Sequence, residues 1–318
     1  MSIWKSKKSN TNKLVCLMPT YNKEATLEKS IESVIMQKTD FDYKLIILDD
    51  CSSDRSNEIA QKYKEKHPQQ IEIVRNAVNL GLLKSIMNGY SLLKGAEYFC
   101  VLDADDWYTD DRKFSKAIKF LDAHKSYAIY MTNICIKKGN EETLLYNGKK
   151  KRLDFNFSDR VKDKAIMVQT SGVVYRNLYF KSGYNEKFEK ILTSKFPESY
   201  RADGFRFEWY LQGGKAHFQN EITACYNYDM NGIWSSKTLF EQYLLNSKIM
   251  YSCAEFFPNK SSFYLNKARE LFILAMKNEK DVDEKIFIKN REVVNELFCL
   301  LYEKQNKRNF HKLFRLFK

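Results

Sequence analysis

Short apolar runs that end in polar turns alternate with helical patterns along the first third of the chain. Four runs have the length of strands, at residues 14–18, 44–48, 71–74 and 98–102. The run 44–48 has the character of a buried strand, and the run 98–102 is nearly continuously apolar, as expected of a strand buried on both faces. In the first segment between them, Leu27, Ile31 and Val34 recur with the period of about 3.6 residues that is typical of a helix. This alternation predicts a mostly parallel sheet with crossover helices.

The pattern becomes less regular beyond the first third. Residues 137–164 form a charged segment that we interpret as a mobile excursion. A helical pattern follows Asp203, and from about Leu239 the remaining chain has the character of helices. We therefore predict one α/β domain over residues 1–235 and a helical region over residues 236–318.

Three carboxylates, those of Asp103, Asp105 and Asp106, come directly after the last of the four runs. Like charges this close are costly unless a cation or a donor-rich ligand neutralises them. Ligands bind at the carboxyl ends of strands in open α/β sheets, and the Asp-x-Asp spacing lets two side chains converge on one hard cation. The alternative is an acidic turn that only caps the helix beginning near Asp111.

The composition is that of an ordinary globular protein, with 44% hydrophobic and 29% charged residues among 318. No apolar stretch reaches the ~20 residues of a membrane span, and the N-terminus lacks a signal peptide's apolar core. The seven cysteines include no Cys-x-x-Cys pair and indicate reduced thiols in a cytoplasmic protein. No glycine-rich nucleotide fingerprint follows the first strand, which argues against P-loop NTPases and dinucleotide oxidoreductases.

The net charge of +13 predicts an anionic partner. Nucleic acid is not the predicted partner, because no recognised motif occurs and acidic turns lie at the expected pocket. Near the C-terminus, Phe310, Leu313, Phe314 and Phe317 share one face of a basic helical pattern. Such a helix can lie on an anionic membrane surface, or it can dock on its own domain or on a partner.

Four motifs at the predicted strand ends together resemble the family 2 glycosyltransferases. They are Pro19-Thr20-Tyr21-Asn22, the segment 48–54, Asn79-Leu80-Gly81 and Leu102-Asp103-Ala104-Asp105-Asp106. The resemblance implies a GT-A fold, which is an α/β, Rossmann-like, mostly parallel sheet with flanking helices, here followed by a C-terminal helical extension. It divides the first domain into a nucleotide-sugar half at about 13–125 and an acceptor half at about 126–235.

The resemblance also implies inverting transfer of a sugar, usually from a UDP-sugar, with Mn²⁺ or Mg²⁺. The acceptor would be a hydroxyl of a cell-surface glycan or lipid-linked molecule, reached in the cytoplasm or at the inner face of the cell membrane. The residues implied around the donor are Thr20, Tyr21, Glu24, Asp50, Lys84, Asp103, Ala104 and Asp105. Those implied at the metal are Asp105 and Asp106, and residues 170–172 would line the sugar and acceptor side.

Asp203 is the catalytic base that the resemblance implies. The family's base is usually the Asp of a Glu-Asp pair that opens a helix ending at Gly, but here Ala202 replaces the Glu. Glu208 and Glu198 are therefore alternatives, and Asp203 has the alternative role of a helix N-cap. The same departure leaves a second function class open, a non-catalytic module that holds a nucleotide sugar or glycan. Residues 231–236 correspond to a loop that closes over the substrates in related enzymes.

Overall fold

The computed structural model describes residues 12–179, 190–191, 193–201, 203–229, 232, 234–279 and 282–302. The chain divides into two compact units. The first contains residues 1–186 and 209–228, and the second contains residues 187–208 and 229–318. The first unit carries the sheet, and the second carries the C-terminal helices.

The strands of the first unit form one mixed, mostly parallel sheet. Its strands are Leu14–Thr20 (β1), Tyr43–Asp49 (β2), Ile71–Arg75 (β3), Tyr98–Val101 (β4), Trp107–Tyr108 (β5), Tyr127–Lys138 (β6), Glu141–Leu144 (β7), Arg152–Phe155 (β8), Val173–Arg176 (β9) and Lys215–Asn227 (β10). Their order is β3-β2-β1-β4-β9-β6-β10-β5, with β7 on β6 and β8 on β10.

Helices flank the sheet and dominate the C-terminal region. They are Leu27–Ile35 (α1), Ser56–Lys66 (α2), Leu82–Ser91 (α3), Lys113–Ala123 (α4), Phe157–Val161 (α5), Asp203–Gly213 (α6), Leu239–Phe256 (α7), Ser261–Lys277 (α8) and Glu284–Tyr302 (α9). The predicted fold class, an α/β sheet with flanking helices and a C-terminal helical region, is confirmed.

The parallel half of the sheet is the part that the apolar runs predict. β1 pairs in parallel with both β2 and β4, and β2 pairs in parallel with β3. β4 is buried along its whole length, because side chains on both of its faces meet apolar neighbours. Phe99, for example, stacks on Tyr175 with 5.2 Å between the ring centroids. This core holds the carboxyl ends of β1, β2 and β4 in fixed register.

The other half of the sheet differs from the sequence-based prediction. β9 runs antiparallel to β4 and β6, whereas β6 and β10 are parallel. The charged segment 137–164, which was interpreted as a mobile excursion, contains β7, β8 and α5. That interpretation was wrong for these elements, because backbone pairing to β6 and β10 holds strands whose side chains are mostly exposed. Charge in the side chains does not prevent ladder hydrogen bonds at a sheet edge.

The second unit is held together by contacts among its helices. Thr238 caps α7 in a capping box with Glu241. The Ser247 hydroxyl donates to the Ala268 carbonyl at 2.8 Å, and this bond ties α7 to α8. None of the helices in the described part of the chain is both long enough and apolar enough to cross a membrane. The basic tail predicted as a possible membrane contact lies outside the described residues.

Candidate active site

Three polar turns meet at one edge of the sheet, because β1, β2 and β4 are adjacent and parallel. Thr20 at the end of β1 pairs with Asp49 at the end of β2. The Asp50 amide donates to the Thr20 carbonyl at 2.9 Å, and the Leu102 amide donates to the Leu17 carbonyl at the same distance. The sequence-predicted motifs after these strands therefore lie side by side at the carboxyl edge, where α/β sheets bind ligands.

The turns after β1 and β2 are fastened together by reciprocal hydrogen bonds. The Asn22 amide donates to Ser52 Oγ at 3.0 Å, and the Ser53 amide donates back to Asn22 Oδ1 at 2.9 Å. The Lys23 amide donates to Ser56 Oγ at 2.8 Å. Asn22 adopts a positive φ of 50°, which an Asn tolerates better than most residues. The sequence Pro-Thr-Tyr-Asn thus forms a preorganised rim rather than a loose loop.

Glu24, predicted to lie near the nucleotide, strengthens this rim. Its carboxylate accepts from the Arg55 amide at 3.0 Å and from Arg55 Nε at 3.2 Å. Its own amide donates to Asp54 Oδ2 at 2.9 Å. In this structure Glu24 therefore connects the β1 and β2 turns on their exposed side.

Asp50 is buried and accepts hydrogen bonds with both carboxylate oxygens. Asn76 Nδ2 and the Leu80 amide donate to Oδ1, and the Gly81 amide donates to Oδ2, each at 2.8 Å. Burial alone would raise the pKa of Asp50, but these donors lower it below its usual value. Gly81 has a φ of 79°, in the region that favours glycine, so the Asn-Leu-Gly motif supplies the turn that presents its amides. Asp50 thus holds the loop between β3 and α3.

The acidic turn after β4 is attached to the β1 turn by a charged contact. Lys23 Nζ forms an ion pair with Asp105 Oδ2. Thr26 Oγ1 donates to the Ala104 carbonyl at 2.8 Å. Sequence reasoning missed Lys23, because a lysine beside a motif residue has no distinctive spacing. The pair places one positive charge directly on the carboxylate that was predicted to hold a metal.

Asp106 points into the protein rather than outward. Its side chain is 1% exposed, and Oδ1 accepts from the Asn227 amide at 3.0 Å. Burial, followed by the negative charges of Asp103 and Asp105, raises the pKa of Asp106 well above its usual value. Asp106 therefore connects the acidic turn to β10, whereas Asp103 and Asp105 remain partly exposed.

The carboxylates of the turn suit a hard divalent cation. Asp103 and Asp105 lie close enough for both charges to act on Asp106, and their oxygens are the ligand type that Mg²⁺ and Mn²⁺ take. Across the described ranges, no group of three or more His, Cys, Asp or Glu side chains is arranged to hold a metal alone. The residues present thus fit a cation that takes its remaining ligands from a bound diphosphate and water.

The other residues predicted to contact the donor differ in accessibility. Thr20 is 3% exposed, and its hydroxyl donates to the Met18 carbonyl at 3.1 Å within its own strand. Tyr21 is 46% exposed at the rim. Lys84 is exposed on the first turn of α3. Tyr21 and Lys84 are therefore the accessible members of this group.

Residues 170–172 form a buried 3₁₀ turn next to β9, supported by a polar group inside the core. Thr132 Oγ1 donates to the Gly172 carbonyl at 3.2 Å, and buried Lys113 Nζ donates to Thr132 Oγ1 at 3.1 Å and to Thr223 Oγ1 at 2.9 Å. Burial lowers the pKa of Lys113 to about 8. Sequence reasoning missed Lys113, because a lysine at the start of a helix is usually exposed.

Asp203 belongs to the second unit and is the first residue of α6. Its Oδ1 accepts from the Gly204 amide at 2.8 Å. Burial raises the pKa of Asp203, and the nearby charge of Arg206 acts in the opposite direction. A raised pKa makes a carboxylate a stronger base.

The two alternative bases have protein partners within the second unit. Glu208 is buried and accepts from the Tyr264 hydroxyl at 3.0 Å, and Glu198 forms an ion pair with Lys248. The predicted closing loop at 231–236 lies partly outside the described residues. Asp203 therefore remains the predicted base.

A sequence model of one protein family matches more than half of the chain. The family is described as Glycosyl transferase family 2, and the match covers residues 15–187. A relative in Mycobacterium tuberculosis, the uncharacterized protein Rv1520, is 26% identical over 229 residues. That alignment covers 68% of this chain and 59% of the relative, so the chain spans about three-fifths of that protein's length.

Two solved structures have the same fold. Staphylococcus aureus TarS, residues 1–349 in complex with UDP-GlcNAc, gives a TM-score of 0.65 at 15% identity, covering 92% of this chain and 82% of that 1–349 chain. The mannosyltransferase PcManGT of Pyrobaculum calidifontis, in complex with GDP-Man and Mn²⁺, gives a TM-score of 0.54 at 12% identity. That match covers 94% of this chain and 89% of PcManGT.

Proposed function

Because the chain belongs to glycosyl transferase family 2, we propose that it transfers a sugar from a nucleoside diphosphate donor to a hydroxyl of a glycan or lipid-linked acceptor. The observation that carries the proposal is the acidic turn at the carboxyl edge of the sheet. There Asp103 and Asp105 stay partly exposed beside a preorganised rim, with the ammonium of Lys23 on Asp105, and the neighbouring negative charges favour binding of a divalent cation. An oxygen-lined edge of this kind suits a metal-bound diphosphate.

The donor is proposed to be a UDP-sugar. The rim and the β3–α3 loop, fixed by Asp50, would enclose the nucleotide, with Tyr21 and Lys84 as accessible contacts. The complex of TarS with UDP-GlcNAc supports a uridine nucleotide, whereas the complex of PcManGT with GDP-Man shows that the fold also accepts guanosine. Thr20, Glu24 and Ala104 would act mainly through the backbone geometry that they maintain.

Mn²⁺ or Mg²⁺ would be held by Asp105, with Asp103 beside it and Asp106 supporting the turn from below. When bound, such a cation neutralises the negative charge that develops on the leaving diphosphate. The chain's own contribution is to fix the turn, through Thr26 on the Ala104 carbonyl and the Asn227 amide on Asp106. When the cation binds, the Lys23 ammonium would either move away from the Asp105 carboxylate or contact the same carboxylate together with the cation.

Asp203 is proposed as the general base that removes the proton from the acceptor hydroxyl, in a transfer that inverts the anomeric centre. Its raised pKa supports this role, because an ordinary aspartate is a weak base near neutral pH.

In this proposal residues 13–125 bind the donor, residues 126–235 bind the acceptor, and residues 236–318 are the helical extension. The proposed place of action is the cytoplasm, at the inner face of the membrane. The net charge of +13 supports an anionic partner there, such as a lipid-linked or phosphorylated acceptor.

The test is release of nucleotide from a panel of UDP-, GDP- and dTDP-sugars, each with Mn²⁺, Mg²⁺ or EDTA. We expect slow hydrolysis of one UDP-sugar that EDTA abolishes. Because a strict acceptor requirement suppresses hydrolysis, calorimetry with UDP accompanies the panel. Absence of both hydrolysis and UDP binding would contradict the donor assignment. Metal-dependent UDP binding without turnover on any acceptor would instead indicate the non-catalytic module.

A further inference from the structure

Two lysines converge on one aromatic ring directly after the acidic turn. The Nζ atom of Lys29 lies 3.2 Å from the centroid of the Trp107 ring, and that of Lys137 lies 6.0 Å from it. Lys29 comes from α1 and Lys137 from the end of β6, more than one hundred residues away in sequence. Trp107 itself is held in β5, opposite Cys225 of β10. Folding thus brings two ammonium groups to one aromatic ring, two residues after Asp105.

Neither ammonium forms an ion pair with a carboxylate of the described residues. Glu142 is opposite Lys137 in the β6–β7 ladder, but the two side chains do not form a salt bridge. The aromatic ring attracts each cation but carries no net charge, so it does not neutralise either ammonium group. An anionic group at Trp107 would be attracted by both lysines.

We propose that Lys29, Trp107 and Lys137, here called the lysine clamp, bind a phosphate group carried by the acceptor glycan. The inference rests on the proposed function, because it names the acceptor class of that transfer. Trp107 follows Asp105 by two residues, a separation of about 7 Å at most along the chain. One acceptor chain can therefore present a hydroxyl at the carboxylates and a phosphate of a neighbouring unit at the clamp.

The probes are phosphorylated dextran and unmodified dextran of the same length, with affinity measured for the complete chain by calorimetry. We expect the wild type to prefer the phosphorylated polymer by about tenfold, equivalent to 1.4 kcal/mol. In the double variant Lys29→Ala/Lys137→Ala the preference should fall to about twofold or less. Lys29→Arg/Lys137→Arg should retain it, because arginine also binds phosphate and stacks on aromatic rings.

The matched control is Lys149→Ala/Lys150→Ala, which removes the same charge from an exposed basic run of the same unit. It should keep the full preference. Equal losses in both double variants would show unspecific charge attraction and overturn the proposal. Absence of any preference in the wild type would also overturn it. Thermal unfolding of each variant shows that the losses do not come from misfolding.

A separate arm distinguishes the acceptor's phosphate from the donor's. UDP affinity is measured for the wild type and for Lys29→Ala/Lys137→Ala. If UDP binding weakens tenfold while the polymer preference persists, the lysines serve the donor and the clamp assignment is wrong. The proposed function fails separately, through loss of UDP binding and of donor hydrolysis in the wild type, and neither result depends on the polymer preference.

Discussion

The turn after β2 and the turn after β4 lie at the same edge of the sheet, and both are rich in aspartate, yet their charges are satisfied in different ways. Asp50 after β2 receives two backbone amides and one side-chain amide, all from the loop that precedes α3. Asp105 after β4 receives one flexible lysine side chain. The hydrogen-bond donors of Asp50 are fixed in place by the fold, whereas the lysine partner of Asp105 can move away.

This difference separates a carboxylate that builds the site from one that is available for chemistry. Backbone amides are positioned by the fold and cannot leave Asp50 without opening the β3–α3 loop. The Lys23 side chain can release Asp105 through rotamer changes alone. A motif of aspartates at a strand end therefore combines two roles, and hydrogen-bond partners, rather than residue type, distinguish them.

The largest effect is expected outside both turns, at the proposed base. Asp203→Asn should reduce transfer by about 10²–10⁴-fold, because the amide cannot accept the acceptor's proton. Donor affinity should stay within about twofold of the wild type, measured by calorimetry with UDP. Glu208→Gln in the same helix is the comparison. If Glu208→Gln reduced transfer more than Asp203→Asn does, Glu208 would be the general base instead.

Removal of the saturated carboxylate should affect stability. Asp50→Ala leaves the Leu80 and Gly81 amides without their acceptor, which should lower the free energy of unfolding by about 2–4 kcal/mol. Chemical denaturation measures the change. A loss below about 0.5 kcal/mol would show that the β3–α3 loop does not depend on Asp50 and would remove the contrast between the two turns.

Removal of the available carboxylate should affect metal binding. Asp105→Ala should weaken the Mn²⁺-dependent part of UDP binding by about 10–100-fold, as loss of groups at metal sites commonly does. Calorimetry of UDP binding with and without Mn²⁺ measures this metal-dependent contribution to the affinity. If Mn²⁺ strengthened UDP binding by the variant as much as by the wild type, Asp105 would not be the metal ligand, and Asp103 would be the next candidate.

The pH dependence of stability gives a finer test of Asp50. Since its folded pKa is lowered, its contribution is present above the unfolded value of about 3.9 and is lost as the pH falls through the folded pKa. The stability difference between the wild type and Asp50→Asn should therefore shrink below about pH 4, by at most ~1.4 kcal/mol per pH unit. A difference that stays constant down to pH 2 would contradict the lowered pKa.

The smallest effect is expected for the movable partner. Lys23→Ala should change the free energy of unfolding by less than about 1 kcal/mol, because the ion pair with Asp105 is partly exposed and screened by solvent. Thermal unfolding measures it, and metal affinity should not decrease. A loss comparable with that of Asp50→Ala would show that Lys23 is a fixed structural partner.

The parallel half of the fold was predictable, because strands buried on both faces are continuous apolar runs that end where the site begins. The segment 137–164 was not, since β7 and β8 are held by backbone pairing while their side chains are mostly exposed. A hydrophobic pattern indicates which side chains are buried, and an exposed edge strand buries few of its side chains. The sequence interpretation of mobility therefore failed where ladder hydrogen bonds, rather than apolar burial, hold the chain.

The candidate site also has a part that was predictable from the sequence and a part that was not. The positions of the aspartates followed from the strand ends, but their partners did not. The donors to Asp50 lie 26–31 residues further along the chain, and Lys23 lies 82 residues from Asp105. The burial of Lys113 was equally hidden, because its two threonine partners come from β6 and β10. Such long-range pairs are set by the register of the sheet, which no local pattern encodes.

We expect the acidic turn to be the reaction centre of a metal-dependent sugar transfer. The most direct measurement is nucleotide release by the wild type and Asp105→Asn, with Mn²⁺ and with EDTA, on the donor that the panel identifies. We expect metal-dependent release by the wild type and about 10²-fold slower release by Asp105→Asn, whose thermal unfolding should match that of the wild type. Undiminished, metal-dependent release by a folded Asp105→Asn protein would contradict it.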